Sequence, residues 1–209
     1  MPPIADLLQT LVPIALGLGL AAACGLRVFV PLLALSVAAA TGRVPLAPGW
    51  EWLASRGALV ALGTATVLEV AAYMIPWLDH ALDVVATPAA MIAGAIASAS
   101  VVVDLPPLVK WTVVIVGGGG IAGLTQGATV LARLKSGLFT GGLANPMVAL
   151  LELVGAAALA VLTLAAPLAT FILVAGLLTL LFRRAGRLIF GRRSRDRETT
   201  VTSSVPRLP

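Results

Sequence analysis

No charged residue occurs from Leu7 to Leu26, from Val84 to Val103, from Trp111 to Ala132 or from Leu153 to Phe182. Coiled as an α-helix at about 1.5 Å per residue, each run is long enough to cross most or all of the roughly 30 Å hydrocarbon of a bilayer. A backbone in hydrocarbon has to satisfy its own N–H and C=O groups, and a helix does so within one segment. The whole chain is 59% hydrophobic and 11% charged, with a mean hydropathy of +1.05. Soluble domains carry about 25% charged residues, and a single core could not hide this much apolar surface. The expected fold is all-α, a polytopic integral-membrane helical bundle.

Seven spans are expected, at 7–24, 26–41, 57–75, 89–103, 110–132, 146–165 and 168–183, with a short helix at 77–87 between the third and fourth. Pro31 interrupts the second span and cannot donate a backbone hydrogen bond, so Gly25 to Val30 is read as unwound. Asn145 and Pro146 have the order of an N-cap and a first helical residue. Broken or re-entrant helices are therefore expected near Pro31 and Pro146. From Pro146 to Phe182 a single helix would measure about 55 Å, and Pro167 is read as the turn of a hairpin. If the first two spans form one re-entrant unit, the count falls to six. Pro31-Leu-Leu-Ala-Leu35 and Pro146-Met-Val-Ala-Leu150 echo each other, as the broken helices of transporter repeats do.

Residues 1–190 read as the transmembrane helical domain and 191–209 as a basic, disordered cytoplasmic tail. Arg183, Arg184, Arg187, Arg192, Arg193, Arg195 and Arg197 supply half of the 14 basic residues. A juxtamembrane basic cluster of this kind marks the cytoplasmic side and meets anionic lipid; nucleic acid is not the expected partner. Seven spans would put the N-terminus outside and the 77–87 helix inside, whereas six would put both ends inside, in each case in the cell (inner) membrane. Leu20-Ala-Ala-Ala-Cys24 imitates a lipoprotein signal, but no positive segment precedes it, and an uncleaved first helix is the reading. Cys24, the single cysteine, has no intramolecular disulfide partner. Trp50 and Trp52 in the 42–56 loop suit the membrane interface.

Chemistry concentrates in Glu69–Pro88, which holds three of the nine acidic residues and the only histidine. Glu69 lies inside an apolar span, where an ionisable group faces the protein interior and needs a partner. Tyr73, one turn on, and Arg27, at comparable depth, are candidates for that partner. Glu152, inside the sixth span, is a second partner for Arg27 or belongs to the same polar pathway as Glu69. Asp79, Asp83 and Thr87 recur every fourth residue with His80 on the flank. That face is a solvated polar face, a cation or proton site, or a divalent-metal site; one histidine without a thiolate makes a poor metal set, and no metal is assigned. Thr125, Gln126, Asn145 and Pro146 are candidates to line a cavity. Gly119, Gly123 and Gly127 recur every fourth residue, which lets another helix approach closely; no Lys-Ser/Thr pair directly follows any of them, as a phosphate-binding loop requires. No nucleophile elbow or His-Glu-x-x-His is present, so no catalytic residue and no cofactor is assigned.

Gly25-Leu26-Arg27 through Leu35, Ile75-Pro76-Trp-Leu-Asp79 with Asp83, Gly118-Gly119 through Gly127, and Thr140-Gly-Gly-Leu-Ala-Asn145-Pro146 with Glu152 together carry a resemblance. Over roughly residues 10–160 the chain resembles the prokaryotic multi-pass membrane protein family known as domain of unknown function DUF4126. The resemblance implies a helical membrane fold and no particular activity. The expected function is a small transporter or channel for a cation or a proton-coupled solute, not an enzyme. Glu69 would be the ion or proton site and Asp79 and Asp83 an acidic mouth. The alternative is a membrane scaffold or assembly factor, single or homo-oligomeric, and a membrane-embedded enzyme comes third.

Overall fold

The computed structural model describes residues 4–73, 76–140, 145–180 and 183–184, and of residues 4, 76–84, 135, 137–140 and 145–146 the backbone alone. Among the described residues every regular element is helical: α1 (Ile4–Cys24), α2 (Phe29–Ala40), a 3₁₀ turn (Glu51–Ala54), α3 (Arg56–Ala72), α4 (Pro76–Ala99), α5 (Pro107–Thr112), a π-helical segment (Val113–Gly119), α6 (Gly120–Thr140), α7 (Asn145–Ala165) and α8 (Pro167–Leu180). Ala5–Cys24, Pro107–Leu134 and Met147–Ala165 are long and apolar enough to cross a membrane. Leu108, Val116, Leu151 and Val161 stand exposed on the outer surface. Water would penalise such a surface and a bilayer would cover it. The chain divides into two compact units, Met1–Phe171 and Ile172–Pro209.

In the first unit α1 is the central post. From Ala15 onward it is almost wholly buried, packed against α2, α4, α6, the π-helical segment and α7. Small residues make this possible: a Cβ on Gly19 would stand 2.6 Å from the Thr163 side chain, and one on Gly17 would stand 3.0 Å from Ser98 Cα. Without a hydrophobic drive between helices in lipid, such close backbone approach supplies the packing energy. Ser98 Oγ donates to the Gly17 carbonyl at 3.2 Å, tying α4 to α1. Leu20, Leu35, Val102 and Ala160 fill the core around the post.

After Cys24 the helix tightens and stops. Gly25 N donates to both Ala21 O and Ala22 O, and Leu26 N and Arg27 N both donate to Ala23 O. Helix α2 begins at Phe29, so the break covers Gly25–Val28 and closes earlier than Val30. Pro31 falls within the first turn of α2, where a missing N–H costs nothing because the first donors of a helix lack intrahelical partners anyway. The twelve residues of α2 would rise only about 18 Å, shorter than the hydrocarbon.

One expectation about breaks is corrected: Pro88 does not separate a short helix from a span, since both belong to α4. There proline removes one donor and the surrounding i→i−4 bonds hold the helical path. At Pro167 the expected interruption is present: α7 ends at Ala165 and α8 begins at Pro167. Ala166 N still donates to Leu162 O at 2.8 Å and Thr170 N to Ala166 O at 3.0 Å. The long helix through the glycines also contains something the sequence reading did not anticipate. Residues 113–119 are wound as a π-helix, which places Gly118 against α4, where a Cβ on it would come within 2.8 Å of the Gly94 carbonyl.

The loop at 41–55 is ordered by its own polar residues. Gly42 and Gly49 supply positive φ of 70° and 87° for its turns. Ser36 Oγ donates to Leu53 O at 2.5 Å, Ala47 N to Ser100 O at 2.7 Å, and Ser55 Oγ caps α3 by accepting from Ala58 N. The loop is thereby fixed beside the end of α4. Trp50 and Trp52 lie with ring centroids 6.3 Å apart.

A candidate polar site at the break between the first two helices

Four elements bring ionisable groups to the Gly25–Val28 break: the break itself, the end of α3, the last turns of α6 and the first turns of α7. Glu69, on α3, reaches across to the start of α2. Its Oε1 accepts from Val28 N at 2.8 Å and its Oε2 from Phe29 N at 3.1 Å. Each carboxylate oxygen takes one free donor of the helix N-terminus, where the helix dipole also favours negative charge. A side chain forty residues further along the sequence thus acts as the cap that the local residues do not provide.

Arg27 is 3% exposed. Its Nη2 donates to the Ala149 carbonyl at 2.8 Å and lies 3.4 Å from Glu152 Oε2. Nε and Nη1, equally buried, have no hydrogen-bond partner among the described residues. Arg133, 5% exposed, grips Glu152 with both edges of a fork: Nε donates to Oε1 at 2.9 Å and Nη2 to Oε2. A bidentate, charge-assisted pair is the strong form of this interaction. The buried Tyr73 ring completes the group, with the Arg27 guanidinium carbon 3.8 Å and that of Arg133 4.5 Å from its centroid. The ring's negative face attracts both cations.

The structure therefore brings together Arg27, Glu69, Tyr73 and Glu152, all singled out in the sequence, and adds Arg133. Tyr73, a candidate partner for Glu69, has its ring engaged with the two arginines. Arg133 falls just past the expected 110–132 span and is not among the residues singled out in the sequence. A signal was available: Gln126, Thr129 and Arg133 share one face of α6 at helical spacing, and Gln126 and Arg133 are both buried. Thr125, half-buried, donates to Ile121 O and faces the break, where a Cβ on Gly25 would stand 2.5 Å from its side chain.

Other candidates lie elsewhere. Asp79, His80 and Asp83 belong to the first turns of α4, and Asn145 and Pro146 to the start of α7; their side chains are outside the described residues. Gly119 and Gly123 lie against Met91 of α4, while nothing among the described residues is within 4 Å of a Cβ built on Gly127. Among the described residues no three His, Cys, Asp or Glu side chains gather as a metal would require. A groove of about 600 Å³ between α2 and α7 is lined by Val30, Leu33, Val37, Val161 and Leu164; it is apolar, suited to a lipid chain, and contains none of the buried charges.

Compared with known proteins, residues 14–187 match the family model described as Domain of unknown function (DUF4126). No curated protein and no solved structure matches the chain.

Proposed function

The chain belongs to that family, and we propose that it is a small membrane transporter moving a solute together with protons, with the break between α1 and α2 as its central site. One observation carries the reading. Arg27, Arg133, Glu69 and Glu152 are drawn together at an unwound backbone, and part of the Arg27 guanidinium has no partner among the described residues. Ionisable groups at membrane depth are costly and mark solute or proton pathways, and discontinuous helices form the binding sites of secondary transporters. A free metal or alkali cation fits less well than a proton-coupled solute, because Glu69 and Glu152 are already held by backbone N–H groups and arginines. Glu69 is the protonation site: on taking up a proton it loses its hold on two N–H donors, which links proton uptake to the α2 terminus.

We place the C-terminus on the cytoplasmic side of the cell membrane, because the arginine cluster follows the last apolar helix. On this arrangement the basic tail meets anionic lipid inside, and Asp79 and Asp83 form an acidic mouth at the start of α4. The scaffold reading draws on one specific observation, that both carboxylates of the cluster are engaged. Flux separates the two. Purified protein in liposomes with a trapped pH dye should carry protons under an imposed solute gradient, and Glu69→Gln should abolish that flux while folding normally. Equal flux in wild type and variant would remove Glu69 from the mechanism, and absence of flux with every solute tried would favour the scaffold.

A further inference from the structure

The Glu69 carboxylate sits where a free anion would sit. Its two oxygens take one N–H each from Val28 and Phe29, at 2.8 and 3.1 Å. This is the bidentate arrangement by which a helix N-terminus holds a carboxylate. The ligand here is supplied by another helix, and its carboxylate is only half-buried. The second observation is independent of the helix terminus. Arg27, which directly precedes the two donors, is 3% exposed, and its Nε and Nη1 have no partner among the described residues. Buried donors left without a partner destabilise the fold, so a ligand that accepts from them is favoured. The Tyr73 ring 3.8 Å away compensates the charge of the guanidinium through its face, but it does not accept these in-plane N–H bonds. Arg27 and Val28 are consecutive in the chain, so the unpaired donors and the capped terminus share one locale.

We propose that this is a binding site for a small carboxylate solute, occupied in the present conformation by Glu69 as an internal competitor. The solute carboxylate would replace Glu69 on Val28 N and Phe29 N and would also take up Nε or Nη1 of Arg27. The charges balance. With Arg27 and Arg133 facing Glu69 and Glu152, the described cluster is neutral. Protonation and withdrawal of Glu69 leaves one excess positive charge, and one bound monocarboxylate restores neutrality. One proton would thus accompany one anion. The inference rests on the transporter reading and gives its solute a chemical class.

The test is direct binding to purified full-length protein in detergent, with sodium acetate as the probe and sodium chloride at equal ionic strength as the control. Wild type should show saturable stabilisation by acetate over chloride. Glu69→Gln, which weakens the internal competitor without emptying the space, should bind acetate at least about tenfold more tightly. Arg27→Lys, which keeps the charge and loses the planar donors, should bind at least about tenfold more weakly, with wild-type helicity confirming its fold. Acetate and chloride acting alike, or Glu69→Gln binding no better than wild type, would overturn the proposal, and Glu69 would then be a structural cap. Acetate binding without acetate flux would instead sink the transporter reading and leave the site standing. Proton-coupled flux of a solute that lacks a carboxylate, with no acetate binding, would do the reverse.

Discussion

Replacing Glu152 by Gln keeps the shape of the side chain and removes the negative charge that holds two arginines at 3% and 5% exposure. Two physical scales compete to set the cost. Interhelical polar contacts inside membranes average only about 0.6 kcal/mol, because alternative partners exist in the unfolded reference. Breaking one partner out of a buried ion pair costs about 3–5 kcal/mol, since the remaining charge is stranded. The second should win here, because Glu152 receives a two-edged grip from Arg133 as well as the Arg27 contact. At about 2–4 °C per kcal/mol for a chain of this size, the unfolding midpoint in detergent should fall by roughly 6–20 °C. The paired change Arg133→Gln with Glu152→Gln tests the cause. It leaves Arg27 facing Glu69 with charges balanced, so the double variant should be more stable than the sum of the singles predicts by about 2 kcal/mol, within the range of coupled networks. A loss below about 1 kcal/mol in Glu152→Gln, or additivity within about 0.5 kcal/mol, would refute the view that charge balance holds this cluster together.

Two further outcomes follow from the packing and the path of the chain. Gly94→Ala should cost about 1–3 kcal/mol by overpacking, since its Cβ would stand 2.6 Å from that of Ala122 and 2.7 Å from the Gly118 carbonyl, whereas Gly127→Ala, in open space, should be neutral or gain up to about 1 kcal/mol from helix propensity; thermal unfolding of both variants checks the contrast. In a Cys24→Ser background, a single cysteine placed at Ser203 should react with an impermeant maleimide only after the cytoplasmic face is opened, and labelling from the outer face of intact cells would refute the cytoplasmic placement of the basic tail.

The sequence alone determined the class of fold, because uncharged runs of this length in a chain with 11% charged residues can satisfy their backbone only as helices in an apolar surrounding. It also picked out Glu69, Arg27 and Glu152, since an ionisable group inside an apolar run is conspicuous by its cost. The interruption at Gly25–Val28 was legible too, as a glycine, an arginine and a nearby proline in a row. What it could not convey was which prolines interrupt. Pro31, Pro88 and Pro167 each lose one donor, and only the bonds formed around them decide between a helix start, a passage and a turn. Nor could it convey partnership across the chain. The cap of α2 is a glutamate forty residues away, and Arg133, just past an expected span, gains its partner only when α6 and α7 meet and set it on Glu152. The π-helical turn at Val113–Gly119 is of the same kind. The glycines permit it, but the register of α4 against them is a property of the folded bundle, set by how closely two particular backbones come together.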